Sequence, residues 1–476
     1  MQSRVKHQGQ IYTPVYLVKD MLDFCGYYGY DIIGRHIMEN SCGDGAFLRE
    51  IVRRYCSYSH FNRPTLKSEL ETYIHGIEKD PIEHKKCIAN LNTIAAEFDL
   101  FDVKWDVRCG DALELSKDYY GKMDFIVGNP PYVRVHNLVD YDLTKQFSFT
   151  ADGMTDLYLA FFEIGIKLLS PNGKICLITP SSWLRSNAGA NFRKHIAQTK
   201  SLNKIADLEH FQPFNATTYT AITVLDNMGN SRKQFDYYKY NGAGQIEFAN
   251  HLSYRDAFIN GEIYLANNEL LTEIRDIYVY GTGTISVKNG FATLCDDVFI
   301  GDFDFARMCI PAIKSSTGKW TKCIYPYKSN GDPLPEFAVM DYAPLYRYLE
   351  SHREALENRS IANKRDWYLF GRTQALRDVS RDKIAINQLV RDKDSLKINI
   401  VPAGSGVYGG LYIISDFSVY DVKRVLETDD FINYVKTLKN YKSGGYYTFS
   451  SKDLEKYLNY KLNKGKENGF RFVANA

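Results

Sequence analysis

Over the first half of the chain, short apolar runs that stop at small or acidic residues alternate with stretches of helical spacing, and this alternation predicts a series of β and α units. The runs are Ile37-Met38-Glu39, Tyr73-Ile74-His75-Gly76-Ile77-Glu78, Trp105-Asp106-Val107-Arg108-Cys109, Asp124-Phe125-Ile126-Val127-Gly128 and Lys174-Ile175-Cys176-Leu177-Ile178-Thr179-Pro180. Ahead of the first run, 15–22 reads as a helix with Pro14 in its first turn and Thr13 as its candidate N-cap. A small-residue loop after the first run leads into a second helix that ends near Arg54, and 81–98 places Cys87, Leu91, Ile94 and Phe98 on one helical face. An apolar helix over 155–169 is turned back by Ser170-Pro171-Asn172-Gly173. Such a series folds into a largely parallel sheet that takes its ligand across the carboxyl ends of the strands.

After about residue 230 the alternation stops, and Asp226-Asn227-Met228-Gly229-Asn230-Ser231-Arg232-Lys233 reads as a polar junction. At 476 residues the chain is too long for one ordinary core. The expected division is 1–235, an α/β domain, and 236–476, a mixed α+β domain with a helix over 267–278.

Composition narrows the class. Apolar content of 45% and charged content of 24% are those of a soluble globular protein, and no apolar run approaches a membrane span. The first seven residues are polar, unlike a signal peptide. Nine scattered cysteines without a C-x-x-C pair suit reduced thiols in a cytoplasmic protein rather than a disulfide frame or a zinc site. No His/Cys cluster suggests a metal site. A formal charge of +2 leaves a nucleic-acid partner open, since a local basic face matters and not the sum.

The strand ends carry the candidate chemistry. Asn129-Pro130-Pro131-Tyr132 closes one run with a stiff corner: two prolines remove two backbone donors and push the preceding residues towards extended geometry. Such a corner can aim the Asn129 amide oxygen and the Pro130 carbonyl at the two hydrogens of one exocyclic amine. An aromatic amine such as N6 of adenine is a poor nucleophile, and two acceptors favour a pyramidal nitrogen with its lone pair exposed. Tyr132 can stack on the base. The bland reading is a turn after a strand. Asn40-Ser41-Cys42-Gly43-Asp44-Gly45 is a small-residue loop between strand and helix, Glu78 can accept both hydroxyls of a ribose, and Asp111 can accept an adenine amino group. Each acid alone is more often a cap or a solvated loop residue. The helix start at Thr13-Pro14 can seat a carboxylate or be no more than a capped helix.

The ordered set Tyr12-Thr13-Pro14, the loop 40–45, Glu78, Asp111 and Asn129-Pro130-Pro131-Tyr132 resembles the gamma group of DNA adenine-N6 methyltransferases of restriction-modification systems. Thr155-Asp156-Leu157-Tyr158 and Phe211-Gln212-Pro213-Phe214-Asn215-Ala216-Thr217-Thr218-Tyr219 continue the match. The resemblance implies a Rossmann-like catalytic domain over 1–235 that uses S-adenosylmethionine. It assigns Thr13, Asn40, Cys42 and Gly43 to the methionine part of the cofactor, Glu78 to its ribose and Asp111 to its adenine. Asn129, which also borders the cofactor, Pro130 and Tyr132 take the catalytic roles, and Phe214 packs against an extruded base. It further implies a target-recognition domain over 236–476, double-stranded DNA as partner, a possible cognate restriction endonuclease, and a monomer or weak dimer.

In that second domain Gly290-Phe291-Ala292-Thr293 and Arg359, Trp367-Tyr368 and Arg372 resemble parts of the family's recognition region, with Arg353 and Arg365 as further candidates. From 353 to 397 there are eleven Lys or Arg against seven Asp or Glu, an excess that suits phosphates or a solvated surface equally. The stretch Tyr441-Lys442-Ser443-Gly444-Gly445-Tyr446-Tyr447 suits a flexible DNA-touching loop or an ordinary turn. Competing readings are a methyltransferase acting on RNA or on a protein glutamine, and a catalytically silent DNA-specificity protein. A fused N-terminal nuclease is not expected, because the motifs begin near Gly9.

Overall fold

Nine strands make one sheet: β1 (Ile37–Glu39), β2 (Ile74–Glu78), β3 (Asp106–Cys109), β4 (Met123–Gly128), β5 (Leu169–Pro180), β6 (Leu202–Asp207), β7 (Thr220–Asp226), β8 (Gln234–Tyr240) and β9 (Ile246–Ser253). They lie in the order β3-β2-β1-β4-β5-β7-β6-β8-β9. The first five are parallel, and β7 runs antiparallel between β5 and β6. The structure is a computed structural model and describes residues 12–60, 62–138, 141–152, 154–214, 218–227, 232–241, 244–305, 308–361 and 363–467. Gly9, Gln10 and Ile11 of the opening segment, Asn215, Ala216 and Thr217 of the last motif, and Met228, Gly229, Asn230 and Ser231 of the junction lie outside these residues.

The helices that clothe the sheet are α1 (Val15–Cys25), α2 (Ala46–Tyr58), α3 (Arg63–Tyr73), α4 (Pro81–Ala96) and α5 (Tyr158–Leu168). On α1 the positions Leu17, Val18, Met21, Leu22 and Cys25 are all buried, which is the i, i+3/i+4 stripe of a core-facing helix. Gly26 ends it at φ 88°, where its N–H reaches back to the Asp23 and Leu22 carbonyls. Side-chain alternation splits the sheet's contacts between its two faces. Ile37, Val127, Cys176 and Ile178 join α1, α2 and α4 in one core, while Ile175 lies against Gly165 of α5 on the other face. The sheet is therefore the middle of three layers, and this part of the chain has the expected α/β class.

Two expectations are corrected here. Pro14, extended at φ −59° and ψ 144°, is itself the N-cap of α1, so Thr13 stands one residue outside the helix and does not cap it. The expected division at 235/236 cuts through β8, whereas the chain separates into compact units at 271/272. β8 pairs in parallel with β6 and β9 pairs with β8, so both strands extend the first unit's sheet.

In the second unit, Ser286–Asn289, Leu411–Ile414, Lys383–Ile386 and Ile398–Val401 form an antiparallel sheet. A second sheet holds Ile300–Gly301, Lys319–Ile324, Cys309–Lys314 and Gly406–Tyr408. Helices Ala343–Ser351, Val419–Leu426, Asp429–Thr437 and Ser451–Glu467 complete the mixed α+β unit. Its core gathers Phe291, Phe299, Tyr327, Trp367, Phe370 and Tyr412. Among the described residues no helix is long and apolar enough to cross a membrane, and no group of three or more His, Cys, Asp or Glu side chains is placed to hold a metal ion.

Candidate active site

Chain order runs β1, β2, β3 outwards on one side and then returns to place β4 on the other side of β1. An open α/β sheet binds its ligand at such a reversal, beyond the carboxyl ends of the strands. The loop after β1 and the corner after β4 stand there side by side.

The loop is shaped by two glycines. Gly43 has φ 51°, and Gly45 has φ 86° with no room for a side chain: an added Cβ would sit 2.8 Å from the Cys87 sulfur of α4. The Cys42 N–H donates to the Ile77 carbonyl at 3.0 Å, which ties the loop to β2. The buried Cys42 thiol lies beside that of Cys87, and this hydrogen bond together with burial pushes it well above the usual thiol range. At the end of β2, Glu78 Oε2 accepts the Gly43 N–H at 2.7 Å and Oε1 accepts the Asp80 N–H at 2.8 Å. A carboxylate has about four lone-pair positions, so roughly half of its capacity is left. Burial raises the Glu78 carboxyl above its ordinary value. Glu39, buried at the end of β1, accepts the Leu48 N–H at 3.3 Å and is pushed well above the carboxylate range by desolvation. Asn40 is 1% exposed, and neither atom of its amide meets a protein hydrogen-bond partner among the described residues.

Asp111 behaves differently. Its Oδ1 caps the short helical turn Ala112–Leu115 by accepting the Leu113 N–H at 2.9 Å, and its Oδ2 pairs with Lys79 Nζ at 2.8 Å. The cap, one of the two readings open from the sequence, is the role the geometry displays.

At the corner after β4, Asn129 Nδ2 donates to Thr13 Oγ1 at 3.2 Å, joining residues 116 positions apart. Thr13 is itself buried. The contact chooses which end of the amide faces which way, and Oδ1 is buried on the other side. Pro130 is buried beside it. Tyr132 is pinned at its tip, with the phenol donating to the Ile178 carbonyl at 3.1 Å. Its ring meets Phe214 edge-on, centroids 6.4 Å apart at 74°, and Tyr158 likewise at 6.4 Å and 82°. Two rings at that angle do not form a parallel slot; a planar ligand on the face of one meets the other with its edge. Tyr12 lies half outside and donates to Glu83 Oε2 at 3.0 Å, which with burial raises its phenol to about 12.

The fold thus pairs Thr13 with Asn129, Gly43 with Glu78, and Tyr132 with Phe214. Sequence reasoning missed the Thr13–Asn129 contact and the Tyr158 ring, although Tyr158 opens the helix that the motif at 155–158 marks.

The arginines expected to read DNA divide sharply. Arg359 is 7% exposed and donates to the Leu356 carbonyl at 2.8 Å and the Thr293 carbonyl at 2.6 Å; with its donors turned inward it reaches no groove, and the expectation for it is withdrawn. Trp367 and Tyr368 are core residues. Arg353 is held by Glu350 and Glu357 and lies over the Trp367 ring at 4.6 Å. Arg365 and Arg372 are exposed. The stretch 441–447 is a hairpin, with Tyr441–Lys442 paired to Tyr446–Thr448 around Gly444 and Gly445 at φ 74° and 78°.

Known proteins bear on this geometry. The chain is similar to the restriction enzyme and methyltransferase RM.Eco57I of Escherichia coli, 22% identical across 87% of this chain and 53% of that protein. It is similar to M.BstVI of Geobacillus stearothermophilus, 24% identical over 76% of this chain and 74% of the relative. M.PaeR7I of Pseudomonas aeruginosa is 25% identical over 76% and 70%. The chain thus spans about half the length of the first of these relatives. Among solved structures, the type IIL restriction-modification enzyme MmeI in complex with DNA superposes with a TM-score of 0.62 at 12% identity, covering 98% of this chain and 68% of that one, a likeness of fold. The profile of the Eco57I restriction-modification methylase family matches residues 45–214, from the glycine that ends the β1 loop to the phenylalanine beside Tyr132. By these residues and the site they build, the segment 45–214 is similar to the Eco57I restriction-modification methylase family.

Proposed function

We propose that the protein methylates N6 of adenine in double-stranded DNA with S-adenosylmethionine as donor, and serves as the modification enzyme of a type II restriction-modification system. The observation that carries this reading is the oriented Asn129 amide beside Pro130 and Tyr132, at the point where strand order reverses.

The residues present fit the cofactor. Asn40 offers a buried amide with its whole hydrogen-bonding capacity unspent, Gly43 and Gly45 turn the loop at positive φ with no side chain at either position, and Glu78 retains lone pairs for ribose hydroxyls. Thr13 accepts from Asn129 and keeps its own hydroxyl proton to donate. Asp111, already a cap, has remaining carboxylate capacity for an adenine amine. When bound, S-adenosylmethionine supplies an electrophilic methyl group on a sulfonium centre.

The chain's own part is to hold the acceptor nitrogen. Thr13 fixes the Asn129 amide so that its oxygen and the Pro130 carbonyl take the two N–H bonds of one amine. Pro130 and Pro131 bring no N–H of their own to compete for those oxygens. A base inside a duplex cannot reach this corner, and extrusion follows from geometry. Tyr132, pinned by the Ile178 carbonyl, offers a face for stacking while Phe214 meets the base at its edge. Reading of the flanking pairs falls to side chains outside this pocket, and we assign it to the second unit, residues 272–476.

Calorimetry with S-adenosylmethionine, then methyl transfer to unmethylated duplex DNA followed by mass spectrometry of the digested nucleosides, tests the reading. N6-methyladenine is the expected product. Cofactor binding without transfer to DNA, or transfer only to RNA or a protein carboxamide, overturns it, and N4-methylcytosine corrects the target base alone.

A further inference from the structure

Arg134 stands two residues beyond Tyr132, with its side chain 54% exposed. Its backbone is fixed on both sides. The Leu157 N–H donates to the Val133 carbonyl at 2.8 Å, the Val135 N–H donates to the Thr155 carbonyl at 3.0 Å, and Arg134 bridges antiparallel to Asp156. This short ladder joins the Pro-Pro corner to the start of α5, where Tyr158 meets the Tyr132 ring. The guanidinium is therefore carried by the same two segments that build the base pocket.

Its charge is mounted on one carboxylate. Asp156 Oδ1 lies 3.3 Å from Arg134 Nε, and the Asp156 side chain is 16% exposed. Burial raises that carboxyl, with Arg134 and then His136 pulling it back. A guanidinium has five N–H donors, and this contact addresses the Nε end. The two Nη groups form the fork that matches the oxygens of a phosphate. As an isolated surface ion pair the contact contributes about 0–1 kcal/mol, too little to account for a cation held beside the pocket mouth. An extruded nucleotide leaves its base inside and its flanking phosphates outside, and Arg134 is an exposed cation on the segment that leads out of the corner.

Building on the proposed base extrusion, we propose that Arg134 binds a phosphate flanking the extruded adenosine, with Asp156 as the mount that positions it. The prediction differs from a purely structural role in its salt dependence, because each phosphate contact contributes a log–log slope of about 0.9 to DNA binding.

The test uses the full chain and a duplex bearing its methylation site. Arg134→Gln should lower kcat/KM on that duplex by about 10- to 100-fold, reduce the salt slope of binding by about 1, and leave S-adenosylmethionine affinity and thermal stability at parent values. Arg134→Lys should keep the slope and recover only part of the rate. A neutral methylphosphonate on either side of the target adenosine should reproduce the loss in the parent and cause no further loss in Arg134→Gln. If Arg134→Gln keeps the parent rate and slope, or if its defect adds fully to that of the methylphosphonate, Arg134 is not a phosphate ligand. A drop in stability and cofactor affinity together would make it a strut, also against the proposal. A parent that transfers no methyl group to any duplex overturns the function itself, an outcome distinct from both.

Discussion

Both units bury strongly polar side chains, but two buried cations of the second unit and the site groups of the first use their bonding capacity differently. In the second unit Arg359 sends Nε, Nη1 and Nη2 to the carbonyls of Leu356, Thr293 and Trp367 at 2.8, 2.6 and 2.5 Å. Lys383, 2% exposed, gives its ammonium to the carbonyls of Arg381, Asp378 and Val379 at 2.7, 3.0 and 3.4 Å. Desolvation lowers that amine to about 8. Lys383 has used all three of its N–H donors and Arg359 three of its five, and both point inward to close off loop ends. In the first unit Asn40 has used none of its amide and Glu78 about half of its carboxylate. Burying polar groups without partners costs free energy. At the strand ends around Asn40 and Glu78 that spare capacity is what a ligand would use, whereas Arg359 and Lys383 act as struts.

The largest expected effect lies at the corner. Asn129→Ala should reduce single-turnover methyl transfer by about a hundredfold or more, by analogy with removing one preorganised polar group from an active site. Cofactor affinity should stay within a few-fold, since the interaction forms mainly in the transition state. Parent-like turnover in this variant would remove the corner from the chemistry. Next comes the strut: Arg359→Ala leaves buried carbonyls unpaired and should destabilise the second unit by about 3 kcal/mol in urea titrations. A folded Arg359→Ala protein with parent stability but altered sequence preference would return Arg359 to the DNA surface.

Asn40→Leu separates the two kinds of group by sign. Replacing an unsatisfied buried amide with a hydrocarbon should stabilise the cofactor-free protein by about 1 kcal/mol while weakening S-adenosylmethionine binding at least about tenfold. Lower stability without a change in affinity would class Asn40 with the struts.

The smallest effect concerns pH. Burial raises the Glu78 carboxyl, so the folded protein takes up its proton at a higher pH than the unfolded chain. Its ionisation therefore costs folding stability as pH rises from the unfolded value through the raised one, and acidification through that window relieves the cost. Ribose hydroxyls donate best to the ionised form, so cofactor affinity should fall as pH falls through the raised value. Glu78→Gln should flatten this dependence; calorimetry from pH 5 to 8 showing the parent slope intact in that variant would assign the titration elsewhere.

Much of the first unit is legible because the strands announce their ends: Ile37 to Glu39 and Met123 to Gly128 pass abruptly from apolar to small or polar residues. The Asn-Pro-Pro-Tyr corner is legible because proline restricts its own backbone. Contacts at long range are not. Nothing local to Thr13 tells that its hydroxyl meets an amide 116 positions later. β8 and β9 carry the mixed, half-exposed pattern of strands near a sheet edge, which resembles a fresh domain as much as an extension. Arg359 reads as a surface cation until three carbonyls converge on it. Asp111 illustrates the ambiguity of a lone acid at a strand end, where cap and ligand need the same side chain.

The place of β1 between β2 and β4 also has a consequence for biosynthesis. β2 follows β1 within about forty residues and can pair with it early, but the other edge of β1 stays open until Met123–Gly128 has left the ribosome. At the slower end of translation, about 5 residues per second, that interval lasts on the order of ten seconds. During it the nascent chain carries an apolar strand with unpaired N–H and C=O groups, the kind of edge that recruits foreign strands. Products of premature termination before residue 123 should therefore aggregate, whereas those that include β4 can close the centre of the sheet and bring Asn129 to Thr13.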